Sequence, residues 1–210
     1  MFFEYLSFSS SIILLPFALI NWKRLDGRMK LLVWAICASV LSDTILLVLV
    51  NLRTNMWPVG NLFLLIHFSL LFLILSDGRK NPIWKVLFYG SIVFGVINYF
   101  FLQTPSKFNS YTAYSTGMLI ITLSLILLYE MMNDIPLQRI QTLPKLWLSF
   151  GVLLYYGGTL FIFLFNNYLS EHLPQMRLSL WIVHNSINIL KNVFFFATIW
   201  VNYKSKISPL

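Results

Sequence analysis

The chain has 210 residues, of which 58% are hydrophobic and 10% charged, and its mean hydropathy is +0.75. A soluble domain carries about 25% charged residues, and a water-soluble fold of this length cannot bury so much apolar surface. The formal net charge of +8 comes from basic residues in short links between apolar runs, so we expect no nucleic-acid partner. The single cysteine, Cys37, excludes an intrachain disulfide.

Apolar runs of about 20 residues, the length that crosses a ~30 Å hydrocarbon core, recur along the chain. Seven transmembrane helices are predicted in chain order, at Phe2–Ile20, Leu31–Val50, Trp57–Leu75, Val86–Leu102, Ser115–Met132, Leu146–Phe165 and Leu178–Asn202. The links are too short to separate domains. The predicted fold is therefore an all-α polytopic membrane protein with one domain over residues 1–210.

Basic residues in the links predict the orientation, because short loops rich in Lys and Arg stay in the cytoplasm. One side has Lys23, Arg24, Arg28, Lys30, Arg79, Lys80, Lys85, Arg139, Lys145, Lys204 and Lys206, and the other has Arg53, Lys107 and Arg177. This asymmetry predicts an external N-terminus and a cytoplasmic C-terminus. The expected location is the bacterial inner membrane.

A weak internal repeat relates the two ends of the chain. The second and sixth segments share a threonine-to-asparagine spacing, Thr44–Asn51 and Thr159–Asn166, and the third and seventh contain His67 and His184. The pattern is consistent with parallel three-helix repeats joined by the fourth helix, in a 3+1+3 order.

Ionisable residues inside the membrane are the first candidates for function, since a charge at mid-bilayer costs about 2.5–3.5 kcal/mol on insertion scales. Asp43 is near the middle of the second segment, and Lys191 is near the middle of the seventh. A single polar face of the seventh segment contains His184, Asn185, Asn188, Lys191 and Asn192. An Asp43–Lys191 ion pair would leave neither charge alone. It would either fix helix packing or line a ligand or ion site.

His67 and His184 are interpreted as hydrogen-bonded packing residues or as members of the same polar core. A metal site would need a third ligand, and no metal-binding, catalytic or cofactor motif occurs. We therefore expect no metal, no cofactor and no catalytic residues, and enzymatic activity is not predicted.

The last two segments resemble uncharacterised bacterial seven-helix membrane modules that occur alone or ahead of histidine kinase domains. The resemblance rests on Ser149–Gly151, Leu154–Tyr155, Asn166–Leu169, Leu180–His184 and Asn188–Asn192. It implies that Lys191 and its flanking asparagines belong to a shared polar core. With the chain ending at Leu210, we expect no kinase domain of its own.

A second similarity is to lysoplasmalogenase-like membrane hydrolases, because Asp43, Gly60 and His67 follow the order of a carboxylate and then a glycine and histidine helix. Gly158 stands where a paired carboxylate would be expected, so the acid–base chemistry of such a hydrolase is incomplete.

Three functions follow from the sequence. The leading hypothesis is a small sensory or interaction protein, with the lipid bilayer, a small-molecule ligand and a signalling protein as partners. The alternatives are a small-solute transporter with parallel three-helix repeats and a lysoplasmalogenase-like hydrolase.

Overall fold

A computed structural model describes residues 2–76, 78–134 and 136–207, which contain helices and connecting segments but no strand. The helices are α1 (Phe2–Ile20), α2 (Gly27–Asn51), α3 (Trp57–Leu75), α4 (Ile83–Ile97), α5 (Ser110–Asp134), α6 (Leu137–Ile140), α7 (Pro144–His172) and α8 (Pro174–Ile207). A 3₁₀ turn at Trp22–Arg24 precedes α2, and a π-helical turn at Asn98–Leu102 continues α4.

Each predicted segment coincides with a long helix, and the bounds of α1 and α3 are as predicted. The other bounds differ, most of all in α7 and α8, which have 29 and 34 residues. At 1.5 Å per residue these helices are ~44 and ~51 Å long, more than a ~30 Å hydrocarbon core requires. Hydropathy marks only the apolar part of a helix, whereas the helical backbone also continues through its polar ends.

Six helices form a closed ring in the order α1, α2, α3, α5, α7, α8, in which α8 packs back on α1. Helix α4 lies outside this ring and packs against α3 and α5. Gly95 allows the approach of α4 to α3, because a Cβ there would lie 2.6 Å from Leu65 Cδ2. The predicted Asp43–Lys191 ion pair would make α2 and α8 direct neighbours. Helix α1, which packs on both, separates them.

The outer surface of the bundle is apolar, with large side chains such as Ile13, Phe101 and Phe161 at least 70% exposed. Among the described residues, six helices are long and apolar enough to cross a membrane, namely Phe3–Ile20, Gly27–Asn51, Trp57–Leu75, Ile83–Leu102, Ser110–Asp134 and Pro144–His172. These features fit an integral membrane protein. Helix α8 is less apolar than these six helices, because it carries the polar face from His184 to Asn192.

Helices α7 and α8 approach closely at two glycines of α7. A Cβ on Gly151 would lie 2.7 Å from Phe194 Cβ, and one on Gly158 would lie 2.6 Å from Ile187 Cδ1. Small residues allow two membrane helices to pack with their backbones close together. The polar face of α8 is thereby held against the interior of the ring.

Candidate functional site

A central cavity of about 160 Å³ lies inside the ring, between α2, α3, α5, α7 and α8. Its lining comprises Ser39, Asp43, Leu46, Trp57, Gly60, Phe63, Leu64, His67, Phe108, Thr116, Tyr155, Tyr156, Phe163, Trp181, His184, Asn188 and Lys191. Five of the seven residues predicted as the polar core are in this set: Asp43, His67, His184, Asn188 and Lys191. Aromatic rings and polar or charged side chains both line the cavity, a combination that is typical of a small-molecule site.

The two opposite charges of the cavity come from different walls. Asp43 is on α2, and Lys191, which is 4% exposed, is on α8. The two charges attract each other, but no nitrogen–oxygen distance between them is within 4.0 Å, so the expected contact ion pair is not formed. Lys191 Nζ instead lies 4.5 Å from the ring centre of Tyr155 and 5.4 Å from that of Phe195. These cation–π contacts stabilise a buried ammonium group without neutralising it.

The two histidines of the cavity differ in their surroundings. His67 Nδ1 is 3.2 Å from the hydroxyl of Tyr156, which makes His67 a hydrogen-bonded residue between α3 and α7. His184 is enclosed by aromatic rings, with ring centres 5.6 Å from Tyr155, 5.5 Å from Phe163 and 4.5 Å from Trp181.

Two nitrogens on the α8 wall have no hydrogen-bond partner among the described residues. They are Nδ1 of His184, which is 9% exposed, and Nε1 of Trp181. Buried polar atoms usually have a partner, but both of these nitrogens are fully buried, so they are not exposed to the cavity that their side chains line. With Lys191 they lie on one face of α8, at positions i, i+3 and i+10.

The asparagines of α8 hold α1 against the ring. Asn188 Nδ2 donates to Ser7 Oγ at 2.7 Å. Asn192 Nδ2 donates to Ser10 Oγ at 2.7 Å and to Ser11 Oγ at 2.9 Å. Asn192 therefore contributes to helix packing outside the cavity. Asn188 contributes to packing against α1 and also lines the cavity.

Asn185, the remaining predicted residue, is half-buried and lies outside the cavity lining. The single polar face inferred for α8 is thus divided between a cavity side and an α1 side. A polar stripe that spans this much of a helix can reach two neighbours.

One end of the cavity is closed by residues 103–109, which we call the lid segment. Its residue Phe108 is 6% exposed and packs against Trp57 and Phe163, with ring centres 5.5 and 5.7 Å apart. Asparagines hold its backbone: Asn61 Nδ2 donates to Lys107 O at 2.9 Å, and Asn167 Nδ2 donates to Phe108 O at 2.8 Å.

The sequence reasoning missed this lid. The N–H of Asn109 also donates to Asn61 Oδ1 at 2.9 Å, so one buried asparagine side chain makes two bonds to the segment. Asn61 and Asn167 lie near the ends of apolar helices. Such asparagines could have indicated a segment that packs on the helix ends, since a buried amide must find partners.

The other end of the bundle is the basic end, where α2 and α7 begin and α5 and α8 end. A wider pocket of about 750 Å³ there is lined by Asp26, Gly27, Arg28, Met29, Leu127, Glu130, Met131, Asp134, Leu143, Pro144, Lys145 and Asn202. Next to it, Arg79 pairs with Glu130 through two hydrogen bonds of 2.7 and 2.9 Å. Asn202 Nδ2 donates to Asp26 Oδ2 at 2.7 Å and so ties α8 to the start of α2.

No family model, curated protein or solved structure matches this chain. The site must therefore be interpreted from its own geometry.

A packed apolar layer separates the central cavity from the basic-end pocket. On each of the four helices shared by the two pockets, the intervening positions are buried: Leu32, Val33 and Ile36 on α2, Ile120 and Leu123 on α5, Leu148 and Val152 on α7, and Phe195 and Ile199 on α8. The central cavity is thus closed by this layer on one side and by the lid segment on the other.

The chemistry available in the cavity is that of binding. The α8 wall offers the Lys191 ammonium group, the α2 wall on the other side of α1 offers the Asp43 carboxylate, and aromatic rings line the same space. Within residues 2–76, 78–134 and 136–207, no group of three or more His, Cys, Asp or Glu side chains could hold a metal ion.

Proposed function

We propose that this chain is a small sensory membrane protein that binds a small molecule in the central cavity and transmits occupancy to its basic end through α7 and α8. The observation that carries the proposal is the cavity itself: two opposite charges that are not in contact line a partly open space inside the ring. Packing alone would favour pairing or removing such groups, because a buried polar atom without a partner destabilises the fold.

The route to the basic end runs along continuous helices. α8 carries His184 and Lys191 in the cavity wall and Asn202 in the lining of the basic-end pocket. The links between the long helices are short, so a signal has to pass through the bundle. A signalling protein that recognises the basic end would then respond to a shift of α8 against α7.

The proposed topology has seven crossings, with α8 as the seventh, an external N-terminus and the basic end in the cytoplasm, in a bacterial inner membrane. The distribution of Lys and Arg supports this orientation. Cysteine labelling in a Cys37→Ser background tests it. A thiol reagent that cannot cross the membrane should label Lys107→Cys from outside and Lys80→Cys only from the cytoplasm, and the opposite pattern would reverse the topology.

Transport is the second candidate, supported by the order of helices around the ring. Helices α1, α2 and α3 follow one another around the ring and are followed by α5, α7 and α8, which is the order that the proposed 3+1+3 repeat requires. His67 on α3 and His184 on α8 meet at one cavity, also in agreement with the repeat. A carrier would additionally have to open the apolar layer between the two pockets.

The hydrolase alternative has weaker support. Asp43, Gly60 and His67 do line one cavity, but Gly158 packs against Ile187 and is outside the lining. The second carboxylate that this chemistry needs is therefore not supplied from α7 at that position.

A cavity-filling variant tests the sensory proposal. Gly60 lines the cavity, and a Cβ there meets only Trp57 Cε3 at 3.9 Å, so Gly60→Leu should fill the space without breaking α3. Gly90→Leu is the matched control, because a Cβ on Gly90 meets nothing within 4 Å.

The small-molecule fraction of a bacterial extract should slow amide hydrogen exchange at the basic ends of α7 and α8 in the wild type and in Gly90→Leu, but not in Gly60→Leu. Equal responses in all three proteins would refute a role for the cavity. Saturable uptake of labelled solutes from the same fraction into proteoliposomes would favour the carrier instead.

A further inference from the structure

The central cavity also indicates the chemical class of its ligand. This inference rests on the proposed function, since it assumes that the cavity is a binding site. Three properties of the cavity indicate this class: the separation of its charges, the helices that carry them and its volume.

The charges of the cavity are balanced but not in contact. Asp43 and Lys191 are its formal charges if the histidines are neutral, and they lie on α2 and α8 with no nitrogen–oxygen distance within 4.0 Å. A ligand with one net charge would satisfy one of these groups and leave an excess charge in a low-dielectric space. A ligand that carries both charges and has no net charge would satisfy both.

The positions of the two charges set the direction of such a ligand. The ammonium group of Lys191, on α8, suits the oxygens of an anion. Asp43, on α2, is an acceptor that suits a cation.

The volume limits the size of the ligand. The cavity has about 160 Å³, similar to a protein cavity of ~150 Å³ that accommodates benzene. That space suits a small amino acid and excludes a lipid, a nucleotide or a peptide.

We propose that the central cavity binds a small amino acid-type zwitterion, with its carboxylate toward Lys191 on α8 and its ammonium group toward Asp43 on α2. Asp43 or Lys191 alone would not select a zwitterion over a ligand with a single charge. A simple amine or a simple carboxylate therefore binds much more weakly than the zwitterion.

Titration calorimetry on the purified full chain in detergent tests the proposal. The probes are glycine, L-alanine, β-alanine, γ-aminobutyrate and L-valine, with propionate and propylamine as the corresponding half-ligands. At least one amino acid should bind saturably, and each half-ligand should bind about 30-fold more weakly or worse, as expected when one buried charge loses its partner.

Variants locate the site. Asp43→Asn and Lys191→Met should each weaken binding of the amino acid by about 30-fold or more, whereas Glu171→Gln, which removes an exposed carboxylate, should leave it unchanged. Gly60→Leu keeps both charges but fills the cavity, and it should abolish amino-acid binding. This variant keeps the test valid if a charge substitution prevents folding.

Each outcome decides the proposal. Tighter binding of propionate or propylamine than of any amino acid, or binding unchanged in Asp43→Asn, Lys191→Met and Gly60→Leu, would overturn it. If none of the five amino acids binds while the extract still alters hydrogen exchange in wild type but not in Gly60→Leu, the ligand class is wrong and the sensory proposal stands. If neither response is seen, both are wrong.

Discussion

The interaction between Asp43 and Lys191 should be measurable even though the two groups do not touch. The perturbation is a double-mutant cycle with Asp43→Asn, Lys191→Met and the two changes combined. Each single change leaves one charge in the cavity without its counter-charge, and the double change leaves neither. The double variant should therefore lose less stability than the sum of the two singles.

The structure limits the size of this coupling. Unit charges 4 Å apart attract by about 4 kcal/mol at an effective dielectric constant of ~20, and Asp43 and Lys191 have no nitrogen–oxygen distance within 4.0 Å. Their attraction must be below that value. We expect a coupling of about 1–3 kcal/mol, since both groups line a largely buried cavity.

The assay is unfolding of the detergent-solubilised protein by increasing the SDS fraction, followed by tryptophan fluorescence. A parallel cycle with Lys107→Met and Glu171→Gln is the control. That pair is in contact at 2.6 Å, but its side chains are 54% and 50% exposed. Solvent screening should make its coupling smaller than that of the Asp43–Lys191 pair, despite the shorter distance.

Two results would refute this reasoning. Additive losses for Asp43→Asn and Lys191→Met would mean that each charge is stabilised by a different partner, such as the Tyr155 ring for the ammonium group. A larger coupling for the exposed pair than for the cavity pair would mean that burial does not strengthen the interaction across this space.

The remaining predictions concern helix packing and the lid segment. Gly151→Ala should destabilise the protein by about 1–3 kcal/mol in the same SDS assay, because the new Cβ would lie 2.7 Å from Phe194 Cβ. Gly157→Ala should leave stability unchanged, because its Cβ would meet nothing within 4 Å. Equal losses of stability in Gly151→Ala and Gly157→Ala would contradict the close α7–α8 contact. Asn61→Ala should accelerate amide hydrogen exchange at Asn109, whose N–H donates to Asn61 Oδ1; an unchanged rate would show that other contacts hold the lid.

The ring of helices explains why two charges distant in sequence reach one cavity. Asp43 and Lys191 were singled out as isolated charges near the middle of apolar helices, and both line the central cavity. Helices α2 and α8 are on either side of α1. The side chains of Asp43 and Lys191 therefore face the interior of the ring and do not form a helix–helix contact. Asp43 and Lys191 are therefore groups on two walls of a candidate site and not a contact pair between packed helices.

The sequence by itself determined the class of fold. Long apolar runs predict membrane helices because the backbone must satisfy its hydrogen bonds internally in lipid, whatever the neighbouring helices do. For the same reason the isolated charges Asp43 and Lys191 could be recognised as residues of the interior, since exposing them to lipid is costly. These conclusions depend on the local chain and the solvent.

Only the tertiary structure decided which groups share a cavity and which serve packing. His184 and Asn192 belong to one polar stripe of α8, yet the first faces the cavity and the second bonds to α1. Phe108 closes the cavity because Asn61 and Asn167 hold the backbone of its segment from two other helices. Helical periodicity gives the face of a residue, but its partner depends on how the helices are arranged around the ring, which is set by packing between residues far apart in the sequence.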